Sequence, residues 1–195
     1  QNTALTELYC DGNALTSLDV SQNTALEFLE CTYNQLISLD VSQNTLLNLL
    51  WCHGNQLTSL DVSQNTALEF LECGYNLLTS IDVSQNTALV EFGCSYNELT
   101  CLDVANGNNI NLTNFYARYN PNLTCIEVDD AEYSSDDFYW TMGIDPQMYF
   151  SEDCNNDCDD DCDDPIVGIN ELTTTKNLIQ ILDLMGRETS FKPNT

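Results

Sequence analysis

The sequence predicts a β-rich solenoid of short coils with parallel strands and little or no helix, closed by a capping segment and followed by a partial β-sandwich-like tail. Two repeating patterns predict it. The block Leu18-Asp19-Val20-Ser21-Gln22-Asn23-Thr24 returns at residues 39–45, 60–66 and 81–87, each 21 residues after the last, and decays through Leu102-Asp103-Val104 to Ile126-Glu127-Val128. Between these blocks Leu29 and Cys31 alternate with Phe28, Glu30 and Thr32, a period of two that fits a short strand. A self-similarity period of about 20 to 50 residues decides the architecture before local propensity does.

Each coil also carries the spacing L-x-x-L-x-C-x-x-N-x-L, as in Leu26, Leu29, Cys31, Asn34 and Leu36. This resembles the leucine-rich-repeat consensus with Cys in place of the third Leu. It resembles in particular the short bacterial 21-residue class, in which a second L-D-V/L segment replaces the helix. The resemblance covers the solenoid, residues 1–128.

The alternation places Leu29 and Cys31 on the inner face of a strand and Phe28, Glu30 and Thr32 on the outer. Stacking coils at about 4.8 Å sets each inward residue under its equivalent in the next coil, so leucine packs on leucine in continuous columns. Asn13, Asn34, Asn55, Asn76, Asn97 and Asn120 are expected to form a buried ladder whose amides satisfy the backbone where it leaves the strand. Cys10, Cys31, Cys52, Cys73 and Cys94 recur at the same 21-residue interval. Thiolates in an apolar column are costly and in-register side chains do not meet at a disulfide torsion, so these read as small core residues. The column Asp19, Asp40, Asp61, Asp82 and Asp103 reads as a set of turn caps rather than a calcium site, because no second carboxylate column lies beside it.

Near-identical copies make their differences informative. The outward strand positions read Glu7, Phe28, Leu49, Phe70, Glu91 and Asn114 in one column and Tyr9, Glu30, Trp51, Glu72, Gly93 and Tyr116 in the next. His53 and Arg118 lie beyond, with Tyr33, Tyr75, Tyr96 and Tyr119 at the strand exits. Phe28, Leu49, Trp51 and Phe70 are expected to make an exposed apolar patch rimmed by Glu30, Glu72 and tyrosines, the composition of an interaction surface. A catalytic reading of Glu30 and Glu72, two coils apart with Trp51 between, is disfavoured. The face is open, nothing in the sequence desolvates either carboxylate, and no second base supports His53. A single Thr per coil, at 24, 45, 66 and 87, does not make an ice-binding face.

Past Cys101 the coil lengthens at Ala105-Asn106-Gly107-Asn108-Asn109, and Ala117 takes the cysteine position. Residues 129–154 lose the pattern and carry Tyr133, Phe138, Tyr139, Trp140, Met148, Tyr149 and Phe150, which suits a cap over the last coil. Residues 120–130 with Phe150-Ser151-Glu152-Asp153-Cys154 resemble the terminal cap of repeat proteins from the Bacteroidota. That resemblance implies a Cys125–Cys154 disulfide, with Cys101 as a rival partner one coil away. Residues 155–165 are an acidic linker, read as a self-repelling solvated run or, alternatively, as a calcium binder through Asp157, Asp159, Asp161 and Asp163. Within residues 166–195, Ile181-Leu182-Asp183-Leu184-Met185-Gly186-Arg187 resembles the core of the C-terminal sorting domain of the type IX secretion system, in a partial copy. The resemblance implies export across the outer membrane.

A net charge of −27, from 31 acids against 4 bases, repels nucleic acid and anionic lipid. No apolar run approaches the roughly 20 residues that cross a bilayer. Gln1 begins inside a repeat, as in a fragment or processed form. The sequence therefore predicts an extracellular or cell-surface, non-catalytic adhesion or binding protein without a required cofactor. Its partner is a protein or glycan, met through Phe28, Glu30, Tyr33, Leu49, Trp51, His53, Phe70, Glu72, Tyr75 and Tyr96. The alternative is a homo-oligomer that assembles into a filament or surface layer.

Overall fold

The computed structural model describes residues 2–154; the acidic linker, the sorting-domain segment, and with them the calcium candidates Asp157, Asp159, Asp161 and Asp163, lie outside the described residues. Within this range the chain coils as a solenoid. One strand per coil builds a six-stranded parallel sheet: β1 (Glu7–Tyr9), β2 (Phe28–Glu30), β3 (Leu49–Trp51), β4 (Phe70–Glu72), β6 (Glu91–Gly93) and β8 (Asn114–Tyr116). Pairing is residue over equivalent residue, Leu29 opposite Leu50 and Leu50 opposite Leu71, so the repeat period sets the register.

In this sheet the central residue of every strand from β2 onward points inward and is fully buried: Leu29, Leu50, Leu71, Phe92 and Phe115. Behind them Cys31, Cys52, Cys73 and Cys94 form a buried column of free thiols, and Ala117 continues it. Burial pushes the Cys31 thiol up to about 12 and holds Cys52, Cys73 and Cys94 further from ionisation, so the column is neutral packing material. Thr32, expected outward, is buried. The two-residue alternation ends with β2 at Glu30, and the chain is already turning where Thr32 sits.

The asparagine ladder forms as the spacing predicts. Asn76 donates through Nδ2 to the carbonyls of Cys52 (3.2 Å), Cys73 (3.0 Å) and Gly74 (3.2 Å), while its Oδ1 accepts from the backbone N–H of Leu57 (3.0 Å). One side chain thus joins two coils by four bonds. Asn34 and Asn97 repeat the arrangement, each accepting from a leucine N–H of the preceding coil. Asn13 is exposed yet still bonds the Cys10 and Asp11 carbonyls.

A second ladder was not foreseen. Asn44, Asn65 and Asn86, in the Ser-Gln-Asn-Thr turns, are fully buried, and each donates to a valine and an asparagine carbonyl of the previous coil. Their Oδ1 atoms meet no hydrogen-bond partner. The aspartate column caps turns: Asp19, Asp40, Asp61 and Asp82 each accept the N–H two residues on, at 2.7 to 3.0 Å.

The second Leu-Asp-Val segment becomes extended only in the later coils. There β5 (Ser80–Asp82), β7 (Cys101–Asp103), β9 (Cys125–Glu127) and β10 (Tyr149–Ser151) make a parallel four-stranded sheet in the order β10-β9-β7-β5. The lengthened coil is tied down by Asp129, whose carboxylate accepts from the N–H groups of Gly107 and Asn109.

The cap comprises two short helices, α1 (Ala131–Asp136) and α2 (Phe138–Met142), capped by the Asp130 and Asp137 carboxylates. Trp140 closes the core. It is buried against Phe115 and Phe150, and its indole N–H donates to the Leu112 carbonyl at 2.9 Å. The aromatic cap expected from composition is narrower than predicted, because Trp140, Met148 and Phe150 are buried while Tyr133, Tyr139 and Tyr149 face solvent. The cap is also more regular than expected, since β10 adds to the second sheet with Tyr149 opposite Cys125. Cys125 is bonded to Cys154, not to Cys101, and the bridge fastens the end of the cap to β9.

Replacing Asn76 by Ala strands several buried backbone groups, and each such group costs about 1 to 3 kcal/mol. Chemical denaturation should show a loss of at least about 3 kcal/mol for Asn76→Ala, against under about 0.5 kcal/mol for Gln64→Ala on the surface. Equal losses would show that the ladder does not hold the coils together.

Candidate functional site

The outer face of the six-stranded sheet carries four parallel columns, set by strand register. Glu7, Phe28, Leu49, Phe70, Glu91 and Asn114 occupy the first, and Tyr9, Glu30, Trp51, Glu72, Gly93 and Tyr116 the second. Past the strands the third contains Thr32, His53, Gly74, Ser95 and Arg118, and the fourth Gly12, Tyr33, Gly54, Tyr75, Tyr96 and Tyr119. The residues singled out from sequence therefore do share one face.

Their exposure differs from expectation. Phe28, Leu49, Trp51 and Phe70 are half-buried rather than freely exposed, because in-register neighbours one strand spacing away cover each other's flanks. The exposed aromatic surface lies chiefly in the fourth column, where Tyr33 is 62% exposed and Tyr75 54%, with Tyr9 and Tyr116 exposed at the two ends of the second. Tyr75 stacks on Tyr96 with ring centroids 4.2 Å apart, and Tyr96 stacks on Tyr119 at 4.1 Å. The adjoining Tyr119 and Tyr75 hydroxyls push that of Tyr96 up to about 12.

This column has a backbone demand that makes its composition notable. Every coil enters the left-handed region here, with φ of 51° at Tyr33, 52° at Tyr75, 59° at Tyr96 and 61° at Tyr119. Glycine meets that demand without strain and fills it at Gly12 and Gly54, whereas an L-residue costs about 1 to 2 kcal/mol. Four tyrosines thus stand where folding alone favours glycine, as strained positions at functional surfaces do.

Glycines break the columns at one place. Gly54 interrupts the tyrosines, Gly74 follows His53, and Gly93 follows Glu72. A Cβ at Gly54 would lie 2.7 Å from the Tyr33 ring, one at Gly74 would lie 2.7 Å from the Ser95 carbonyl oxygen, and one at Gly93 would collide with the Glu72 carboxylate. The result is a notch of about 200 Å³ lined by Tyr33, His53, Glu72, Gly74, Tyr75 and Ser95. Sequence reasoning placed Tyr33, His53, Glu72 and Tyr75 on this face but missed the notch. The signal was present, in glycines at positions where sister coils carry Tyr, His and Trp.

The expectation that no carboxylate is desolvated is overturned. Burial, assisted by Glu91, raises Glu72 to about 7. Its side chain lies over Gly93, where no side chain of the next coil lifts it into water. Burial lowers His53, which Glu30 partly offsets, and its Nδ1 is buried without a partner. Its ring stands edge-on to Tyr33 with centroids 5.1 Å apart. A half-buried acid and a neutral imidazole in one recess can pair with a donor or a cation, and such perturbed groups mark sites of binding as well as of catalysis. Among the described residues no group of three or more His, Cys, Asp or Glu is placed to hold a metal ion.

No family model and no curated protein matches the sequence. Among solved structures, the leucine-rich repeat domain of APL1B is 24% identical over 63% of this chain and 36% of that chain, with a TM-score of 0.53. A leucine-rich-repeat protein of Leptospira interrogans is 23% identical over 76% of this chain and 37% of that one, at a TM-score of 0.52. These two likenesses show the leucine-rich-repeat fold. The functional domain of InlJ from Listeria monocytogenes, which includes a cysteine ladder, is 36% identical over 65% of this chain and 35% of that chain, at a TM-score of 0.48. The chain thus spans little over a third of the length of the structures it matches.

Glu72 binds its proton more tightly in the folded chain than in the unfolded one, where it titrates as an ordinary glutamate near 4.5. Stability therefore falls as pH rises from about 4.5 through 7, and the penalty is complete above 7. Asp103, raised to about 6 chiefly by burial, acts in the same direction. Melting temperature should decline from pH 5 to pH 8, and Glu72→Gln should raise it at pH 8, with a gain on the order of 1 to 3 kcal/mol, and change it little at pH 5. A Glu72→Gln chain no more stable than wild type at pH 8 would show that the carboxyl is not desolvated.

Proposed function

We propose that this chain is a non-catalytic, extracellular binding protein that engages a partner protein through the outer face of its six-stranded sheet. The observation that carries the reading is the row of exposed tyrosines held in left-handed backbone at the edge of a half-buried apolar band. A solenoid of this kind presents a long, rigid surface at little entropic cost, and tyrosine supplies contact area with few rotatable bonds. Phe28, Leu49, Trp51 and Phe70 form the apolar centre, and Glu30, Glu72 and the tyrosines form the polar margin, the layout of a protein interface.

The acidic surface favours a basic or neutral partner over nucleic acid or anionic membrane. Placement outside the cell is supported by the Cys125–Cys154 disulfide, since such bonds persist in oxidising compartments. The sorting-domain resemblance after Ile166 supports export across an outer membrane. Against catalysis stand the openness of the face and the lack of a partner for the buried His53 Nδ1, which leaves that imidazole without an orienting group.

The test is an array of purified extracellular proteins and glycans probed with the full chain and with Trp51→Ala, folding being checked by circular dichroism. A protein ligand should be retained by the wild type, and Trp51→Ala should weaken it by about 2 kcal/mol or more, as loss of a central aromatic anchor does. Undiminished binding by a folded Trp51→Ala chain contradicts the reading. So does a glycan as the sole ligand, or elution of the wild type as a polymer that Trp51→Ala dissolves, which would assign the face to self-assembly.

A further inference from the structure

We propose that the notch between Tyr33 and Tyr75 is a pocket for a side-chain cation, the guanidinium or ammonium group of an arginine or lysine that a partner protein presents to the strand face. The inference rests on the protein-binding reading above and specifies what one part of that surface recognises.

The geometry comes first. Tyr75 has one ring face covered by Tyr96, with centroids 4.2 Å apart, and its other face turns toward the coil of Gly54, where no side chain follows. Tyr33 forms the opposite wall and leans over Gly54. The floor is the Gly74 backbone, close against Ser95. A cation seated here lies against the open π-face of Tyr75 and within the field of Glu72, and ring quadrupole and carboxylate both attract positive charge. The recess of about 200 Å³ admits one such head group with its last methylenes.

Competing occupants fit less well. An anion meets Glu72, with Glu91 and Glu30 nearby on the same face, in a chain of net charge −27. An apolar side chain desolvates Glu72 further without compensation. A guanidinium or ammonium supplies several N–H donors and no acceptor, which complements the Glu72 carboxylate.

The charge state of the site follows from its surroundings. Glu72 is flanked in register by uncharged Trp51 of β3 and Gly93 of β6. The titratable groups about it are Glu91 on β6, His53 in the next column, Glu30 on β2, and the thiols of Cys52, Cys73 and Cys94 behind the sheet. The thiols are held protonated and burial keeps His53 neutral. Near neutral pH the pocket therefore carries a carboxyl that is only partly ionised. An entering cation completes its ionisation, and the site releases a proton as it fills.

The experiment titrates the full-length, isotopically labelled chain with Nα-acetyl-arginine methylamide, followed by the backbone amide signals of Gly54, Gly74 and Gly93. The neutral isostere, the citrulline methylamide, is the comparison. The arginine probe should shift these amides saturably at millimolar concentration, more tightly at pH 8 than at pH 6, and the citrulline probe should leave them in place. Glu72→Gln should weaken the arginine probe about tenfold and abolish its pH dependence. Tyr75→Leu, which keeps apolar bulk but removes the ring face, should weaken it about threefold or more. Equal shifts from both probes, shifts confined to other residues, or a Glu72→Gln chain that binds as well as wild type would overturn the proposal. Such a failure leaves the strand-face reading standing, because that reading is decided by the Trp51→Ala array and not by a single amino acid.

Discussion

A coil of 21 residues with one three-residue strand cannot satisfy its own backbone, and the structure is organised around handing that deficit to the next coil. Strand N–H and carbonyl groups pair across the sheet, but where the chain leaves the strand there is no strand partner to meet. Asparagine solves this because one amide is both a double donor and an acceptor. Asn34, Asn55, Asn76 and Asn97 each bind carbonyls of two coils and accept an N–H from the earlier one. A second set, at Asn44, Asn65 and Asn86, serves the opposite turn. Given this stitching, leucine columns and neutral thiols can pack without any polar group of their own, and removing the stitch exposes the deficit in two coils at once.

The same regularity separates stability from recognition. Inward positions are fixed by what lies above and below them, so they repeat. Outward positions answer to solvent or to a partner, so they vary. The tyrosine column shows the separation most clearly, since Tyr33, Tyr75, Tyr96 and Tyr119 occupy a left-handed backbone position that glycine fills at Gly12 and Gly54. Stacking recovers some of that strain through ring contact, and the break at Gly54 turns a continuous stack into two walls with a recess between them.

Much of this was legible in the sequence because it depends on period alone. The parallel register, the inward leucines, the cysteine column, the first asparagine ladder and the aspartate turn caps follow from residue types recurring at 21-residue spacing. What period does not encode was missed. Asn44, Asn65 and Asn86 carried no signal of burial, since a Ser-Gln-Asn-Thr run has no apolar residue to mark one. Thr32 lay one step past the strand, where alternation stops applying. The half-burial of Phe28, Trp51 and Phe70 depends on how far in-register neighbours shade one another, and the raised Glu72 depends on the missing side chain at Gly93. The cap surprised for a related reason: Tyr133, Tyr139 and Tyr149 share aromatic character with Trp140, but only the element geometry decides which ring meets the core.

The central claim is that asparagine side chains bind the coils into one register. It is tested most directly by hydrogen exchange at the backbone amides of Leu36, Leu57, Leu78 and Leu99, each of which donates to an asparagine Oδ1 of the following coil. These amides lie outside the strands, so protection there reports the ladder itself. The account predicts that all four exchange as slowly as the central strand amides of Leu50 and Leu71 and open together with them. Exchange at the rate of unprotected amides, while the strands remain protected, would contradict it.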